Sequence, residues 1–296
     1  MRNWIVIFIT TLFFGNISAQ EEIKVLLKEK TFYNKETTAF VVEIPQAEYN
    51  TVLKSWTKYL KDSPKEKVIV ENAEVSIGKK FIPQIANDSM DINSYIKEYD
   101  GHIVLVVSFK LQGKYISEDS EEEVFYPTKN YVRNFAIEQY QKAVALELKE
   151  ENKKYAKMES DLNSLIQAND NYIDAVKQDK REILSNKDLI TLNEMDQSGK
   201  VLQIQTQKEV VYRLVNTPGN EQNEAKKVLK KIEIDFKKTQ NKKKTFHNKI
   251  VSLEANIRET NRSIENNEKE QKFIKLDKDD QEYVLRKVQK KLDRIK

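Results

Sequence analysis

The chain has 296 residues, a formal net charge of +4 and charged side chains at 33% of its positions. It has no cysteine, which removes disulfides, thiol catalysis and thiolate metal sites together. Its two histidines and six glycines leave little material for a histidine metal centre or a glycine-rich phosphate loop.

The first segment, MRNWIVIFITTLFFGNISAQ, has the make-up of an export signal. Arg2 supplies the positive start, Trp4 to Phe14 are an apolar run, and Gly15 and Asn16 break it. Ile17 and Ala19 occupy the −3 and −1 positions of a cleavage site after Ala19. Spanning hydrocarbon takes roughly 20 apolar residues, more than this run offers, so a signal peptide over residues 1–19 is expected rather than an anchor. Nothing later in the chain is apolar enough to span a bilayer. The expected product is a soluble exported protein, periplasmic or secreted.

Charge then divides the remainder. Residues 20–127 hold 14 Lys and Arg against 19 Asp and Glu, whereas residues 128–296 hold 36 against 28. The split predicts an acidic globular head over 20–127 and a basic helical tail over 128–296. In the head, IKVLLKEKTFYN and TTAFVVEI read as strands. From Pro45 the period changes: Tyr49, Val52, Leu53, Trp56 and Leu60 share one helical face, predicting a helix over 46–62 with Pro45 near its start. KVIVENAEVSI gives one or two short strands. Asp100-Gly101 predicts a two-residue hairpin turn of the primed type, and the doubly apolar run from Ile103 to Phe109 predicts a central strand. These elements make an α+β head, a mostly antiparallel sheet with one or two packed helices.

The stretch FVVEIPQAEYNTVLKSWTKYLK resembles a segment of exported bacterial proteins that join a small head to a charged helical tail. The resemblance implies the same two-part layout and export, and it brings no catalytic motif.

The tail carries two heptad registers. From Leu229, a positions fall at Leu229, Phe236, Lys243, Ile250, Ile257 and every seventh residue to Leu292; d positions run from Ile232 through Phe246, Leu253 and Asn267 to Ile295. Thirteen of these 20 residues are apolar, which signals a coiled coil. Upstream, Leu162, Val176, Ile183, Ile190 and Ile204 hold a positions, and Val144, Leu165, Tyr172 and Asn193 hold d positions. The two registers mirror each other about Pro218, which sets Ile183 opposite Leu253 and Ile190 opposite Phe246. An antiparallel hairpin follows, with arm 128–215, tip 216–221 and arm 222–296, reaching on the order of 100 Å. Asn169 falls opposite Asn267, an expected polar layer, and NEMDQSGK at 193–200 predicts a bend or fraying. A parallel dimer through the second arm is the competing arrangement; it would leave the first arm's seam wet.

Candidate sites are few. His102 and His247 read as ordinary solvated histidines, and Trp56 as core. SEDSEEEVF at 117–125 reads as a solvated link without the oxygen spacing of a calcium loop. The best polar candidate is a lysine stripe: Lys230, Lys231, Lys237, Lys238 and Lys244 occupy b and c positions and would face outward. Such a stripe suits an anionic polymer, an acidic protein or a lipid surface; nucleic acid is disfavoured by export and by the lack of interleaved aromatic residues. No cofactor is expected. The functional expectation is a non-enzymatic exported interaction or scaffold protein that uses the hairpin as spacer or docking surface, with homo-oligomerisation through the coiled coil a further option. The alternatives are a holdase-type periplasmic chaperone and an envelope adaptor working through the lysine stripe.

Overall fold

A computed structural model describes residues 22–295 except 33–34, 62, 64–65, 72–73 and 218. The expected signal peptide and Pro218, the centre of the mirror, therefore lie outside the described residues. The chain divides into two compact units: residues up to Lys154 together with those from Gln281 onward, and Tyr155–Asp280.

In the first unit the period-2 segments form β1 (Val25–Phe32), β2 (Lys35–Pro45), β3 (Ile69–Glu71), β4 (Glu74–Phe81), β5 (Ser89–Tyr99), β6 (His102–Leu111) and β7 (Lys114–Tyr115). The sheet is antiparallel in the order β1-β2-β6-β5-β4-β3, with β7 on β6. Central β6 explains the doubly apolar run. Ile103, Leu105, Val107 and Phe109 join the main core, while Val106 joins Phe32, Ala39 and Val41 in a small cluster on the other face. Against the main face lies α1 (Tyr49–Tyr59), whose Val52 and Trp56 are buried as the helical spacing requires. The helix α2 begins at Glu122 and ends at Arg213; its Val132, Phe135, Ala136, Tyr140 and Val144 enter the same core. The last helix, α3 (Glu221–Arg294), contributes Val288 near its end, and Ile295 follows it into that core. Each buried valine, isoleucine or phenylalanine among these contributes about 1.5–3 kcal/mol. Gln141 donates to the Ile295 carbonyl at 3.0 Å, and Lys291 meets Glu147 at 3.3 Å and also Gln46, tying the end of α3 to this unit.

Three local expectations fail. Pro45 closes β2 opposite His102 instead of starting the helix, because the chain turns at Gln46, with φ 57° and its N–H on the Gly101 carbonyl. The Asp100-Gly101 turn is not of the primed kind, since only Gly101 has positive φ, at 80°. The pair with positive φ throughout is Gln112-Gly113, at 48° and 84°, between β6 and β7. Finally, α2 starts before Pro127, whose missing N–H costs the helix its backbone bond to the Glu123 carbonyl; the next residue's hydroxyl, on Thr128, donates to the Val124 carbonyl at 2.7 Å.

In the second unit α2 and α3 zip along the expected seams. Every a and d position predicted for both arms is buried or half-buried, Tyr172 excepted. Ile183, Ile190, Ile250 and Leu253 form one cluster with Phe246 and Ile257, in keeping with the mirror register. The helix runs unbroken through 193–200, against the expected fraying. Gln197 donates to Asn193 at 2.7 Å and Lys200 pairs with Asp196 at 2.6 Å, so these polar residues of the segment are satisfied within their own helix. The expected Asn169–Asn267 bond is absent. Asn267 instead accepts from Gln271 at 2.7 Å, and the buried Asn169 Oδ1 accepts nothing.

Candidate functional site

Because the a and d rows of α3 face α2, its b and c rows face solvent, and Lys230, Lys231, Lys237, Lys238 and Lys244 are all exposed. They share this one stripe. Lys238 pairs with Asp235 at 3.1 Å, a hydrogen bond that holds the Asp235 carboxyl below its ordinary value. Among the described residues Lys230, Lys231, Lys237 and Lys244 form no ion pair.

The lysines in the seam behave differently. Lys243 reaches Glu194 at 2.6 Å, and that hydrogen bond pulls the Glu194 carboxyl down. Lys278 reaches Glu159 at 3.0 Å with its Nζ 4.9 Å from the centre of the Tyr155 ring, and the bond to Glu159 raises its pKa. Lys243 and Lys278 are thus neutralised across the helix pair, whereas Lys230, Lys231, Lys237 and Lys244 hold no ion pair among the described residues. A row of free ammonium groups on a helix attracts polyanions electrostatically, with strength that falls as salt rises.

Trp56 is fully buried, donates from Nε1 to Ser94 Oγ at 2.7 Å and packs edge-on against Phe135 at 4.8 Å. His102 stacks on Tyr99 at 5.4 Å, and His247 is exposed on α3. Of the acidic stretch, Glu122 and Glu123 lie in the first turn of α2, where carboxylates suit the helix dipole. No group of His, Cys, Asp or Glu among the described residues could hold a metal ion. One buried charge escaped the sequence reading: Lys80, 2% exposed, pairs with Glu66 at 3.1 Å. A register shift between Ile77 and Lys80 turns this lysine inward, and alternation alone gives no sign of it.

No protein-family model matches the chain, and none of the curated proteins matches it significantly.

Proposed function

We propose that the protein is a non-enzymatic exported interaction protein whose coiled-coil hairpin serves as a docking surface for an anionic partner. The observation that carries this reading is the contrast between two sets of lysines. In the seam Lys243, Lys278 and Lys200 are consumed by Glu194, Glu159 and Asp196, whereas Lys230, Lys231, Lys237 and Lys244 are exposed and hold no ion pair among the described residues. Since isolated surface pairs are worth only about 0–1 kcal/mol, placing compensating acids beside these lysines would gain little stability. Leaving them free gives a continuous positive face.

The test uses the full chain and a triple variant, Lys230→Glu, Lys237→Glu and Lys244→Glu, against a sulfated polysaccharide and against anionic vesicles. The wild type is expected to bind one of them, weakening as salt rises, and the variant at least about tenfold more weakly. Equal binding by both chains, or none by either at low salt, would count against the docking role.

A further inference from the structure

The outer face of α2 differs sharply from that of α3. Between Asp188 and Glu209 none of its outward b, c and f positions is charged, although a third of the chain is. Leu192, Met195 and Leu202 stand there 62%, 66% and 65% exposed. With Gly199 they follow a 3-4-3 spacing, the pattern of a coiled-coil seam, on the side turned away from α3. Gly199 costs the helix about 1 kcal/mol relative to alanine. Nothing within the chain requires it, because a Cβ there would meet no atom within 4 Å.

We propose that this is a second, self-complementary seam, through which two copies of the chain pair α2 against α2, antiparallel, with the two-fold axis at the level of Gln197. Antiparallel pairing sets alternate positions of such a stripe opposite each other, and each side chain then finds a fitting partner. Met195 enters the notch left by Gly199 of the other copy, twice by symmetry, and Leu192 meets Leu202 on either side. At the ends of the patch the charges are complementary: Asp188 comes within reach of Lys208 of the other copy, and Lys187 within reach of Glu209. Near the axis Asp196 is already neutralised by Lys200 at 2.6 Å, so the like-charge approach there is blunted. An isologous contact of this kind closes after two copies, which prevents a filament. Its area is that of a few helical turns, so the dimer is weak and concentration-dependent. This inference stands on surface chemistry alone, separately from the lysine stripe.

Sedimentation of the full chain over roughly a hundredfold range of concentration tests it. The wild type is expected to pass from monomer to dimer, and Leu202→Glu, at a solvent-facing position, to shift the midpoint at least about tenfold without changing the helix content. Lys208→Glu should weaken the dimer and Lys208→Glu with Asp188→Lys should restore it. Since the chain has no cysteine, Ser198→Cys, next to the axis, should oxidise to a covalent dimer. Asn171→Cys, whose copies would lie roughly 80 Å apart, should not. A chain that stays monomeric throughout, a dimer indifferent to Leu202→Glu, or equal oxidation at the two cysteines would overturn the proposal.

Discussion

The indole of Trp56 gives the sharpest quantitative prediction. Its N–H has one acceptor, Ser94 Oγ at 2.7 Å, and that hydroxyl in turn donates to the Val75 carbonyl at 3.0 Å; tryptophan and serine are both fully buried. Ser94→Ala leaves an indole donor orphaned away from water, which costs about 1–3 kcal/mol. Trp56→Phe removes that donor together with part of the ring that packs on Phe135 and Tyr59, for a loss of about 2–3 kcal/mol. The double variant has no orphaned indole, so its loss should fall short of the sum of the two by about 1 kcal/mol or more. Hydrogen exchange in peptides covering β5 and β6 reads the opening free energy in all four proteins, independently of the loss of tryptophan fluorescence. A neutral Ser94→Ala, or losses that add, would refute the view that this bond fastens α1 to the sheet.

Two further outcomes concern the helix pair. Asn169→Leu replaces a seam residue whose buried oxygen has no partner, so the melting temperature followed at 222 nm should rise; a fall would show that Asn169 is satisfied in solution. The pH profile has a definite sign. Glu194, Asp235 and Glu265 are held below their ordinary values chiefly by hydrogen bonds from Lys243, Lys238 and Lys269. A depressed carboxyl contributes stability that is present above its unfolded value and lost as pH falls through its folded one, so the melting temperature should stay level from neutrality to about 5 and drop further into acid, less steeply in high salt. Lys278, raised by Glu159, contributes stability that is present below its unfolded value and lost as pH climbs through its folded value, on the alkaline side of 10.5. A melting temperature unchanged between neutrality and strong acid would refute the linkage.

The long-range part of the fold was legible because it depends on repetition. The 3-4 spacing of Leu229, Ile232, Phe236 and their successors fixes which face is apolar, and matching two such rows fixes the pairing of Ile183 with Leu253. Trp56 was readable for the same reason, since its neighbours at helical spacing define one buried face. The lysine stripe followed from counting positions around a helix, which gives exposure but not partners; that Lys238 has Asp235 while Lys237 has none emerges only from side-chain geometry. Features set by a single backbone angle were not legible. Asp100-Gly101 and Gln112-Gly113 are both polar-glycine pairs, and composition does not tell that only the second has positive φ at both residues. Lys80 points inward because of a bulge that shifts register by local geometry. The uncharged outer face of α2 is written in the letters, but Leu192 and Leu202 stand outside the heptad rows and become distinct only once the seam facing α3 is assigned.

The antiparallel register of α2 and α3 is tested most directly by a short bismaleimide bridge. Glu194→Cys with Lys243→Cys replaces an ion pair of 2.6 Å between a seam lysine and a flanking glutamate, without touching the apolar residues of the seam. At high dilution this pair should bridge within one chain, whereas Glu194→Cys with Lys269→Cys, roughly 40 Å further along α3, should not. Bridging only between chains, or bridging that favours the distant pair, would contradict the hairpin.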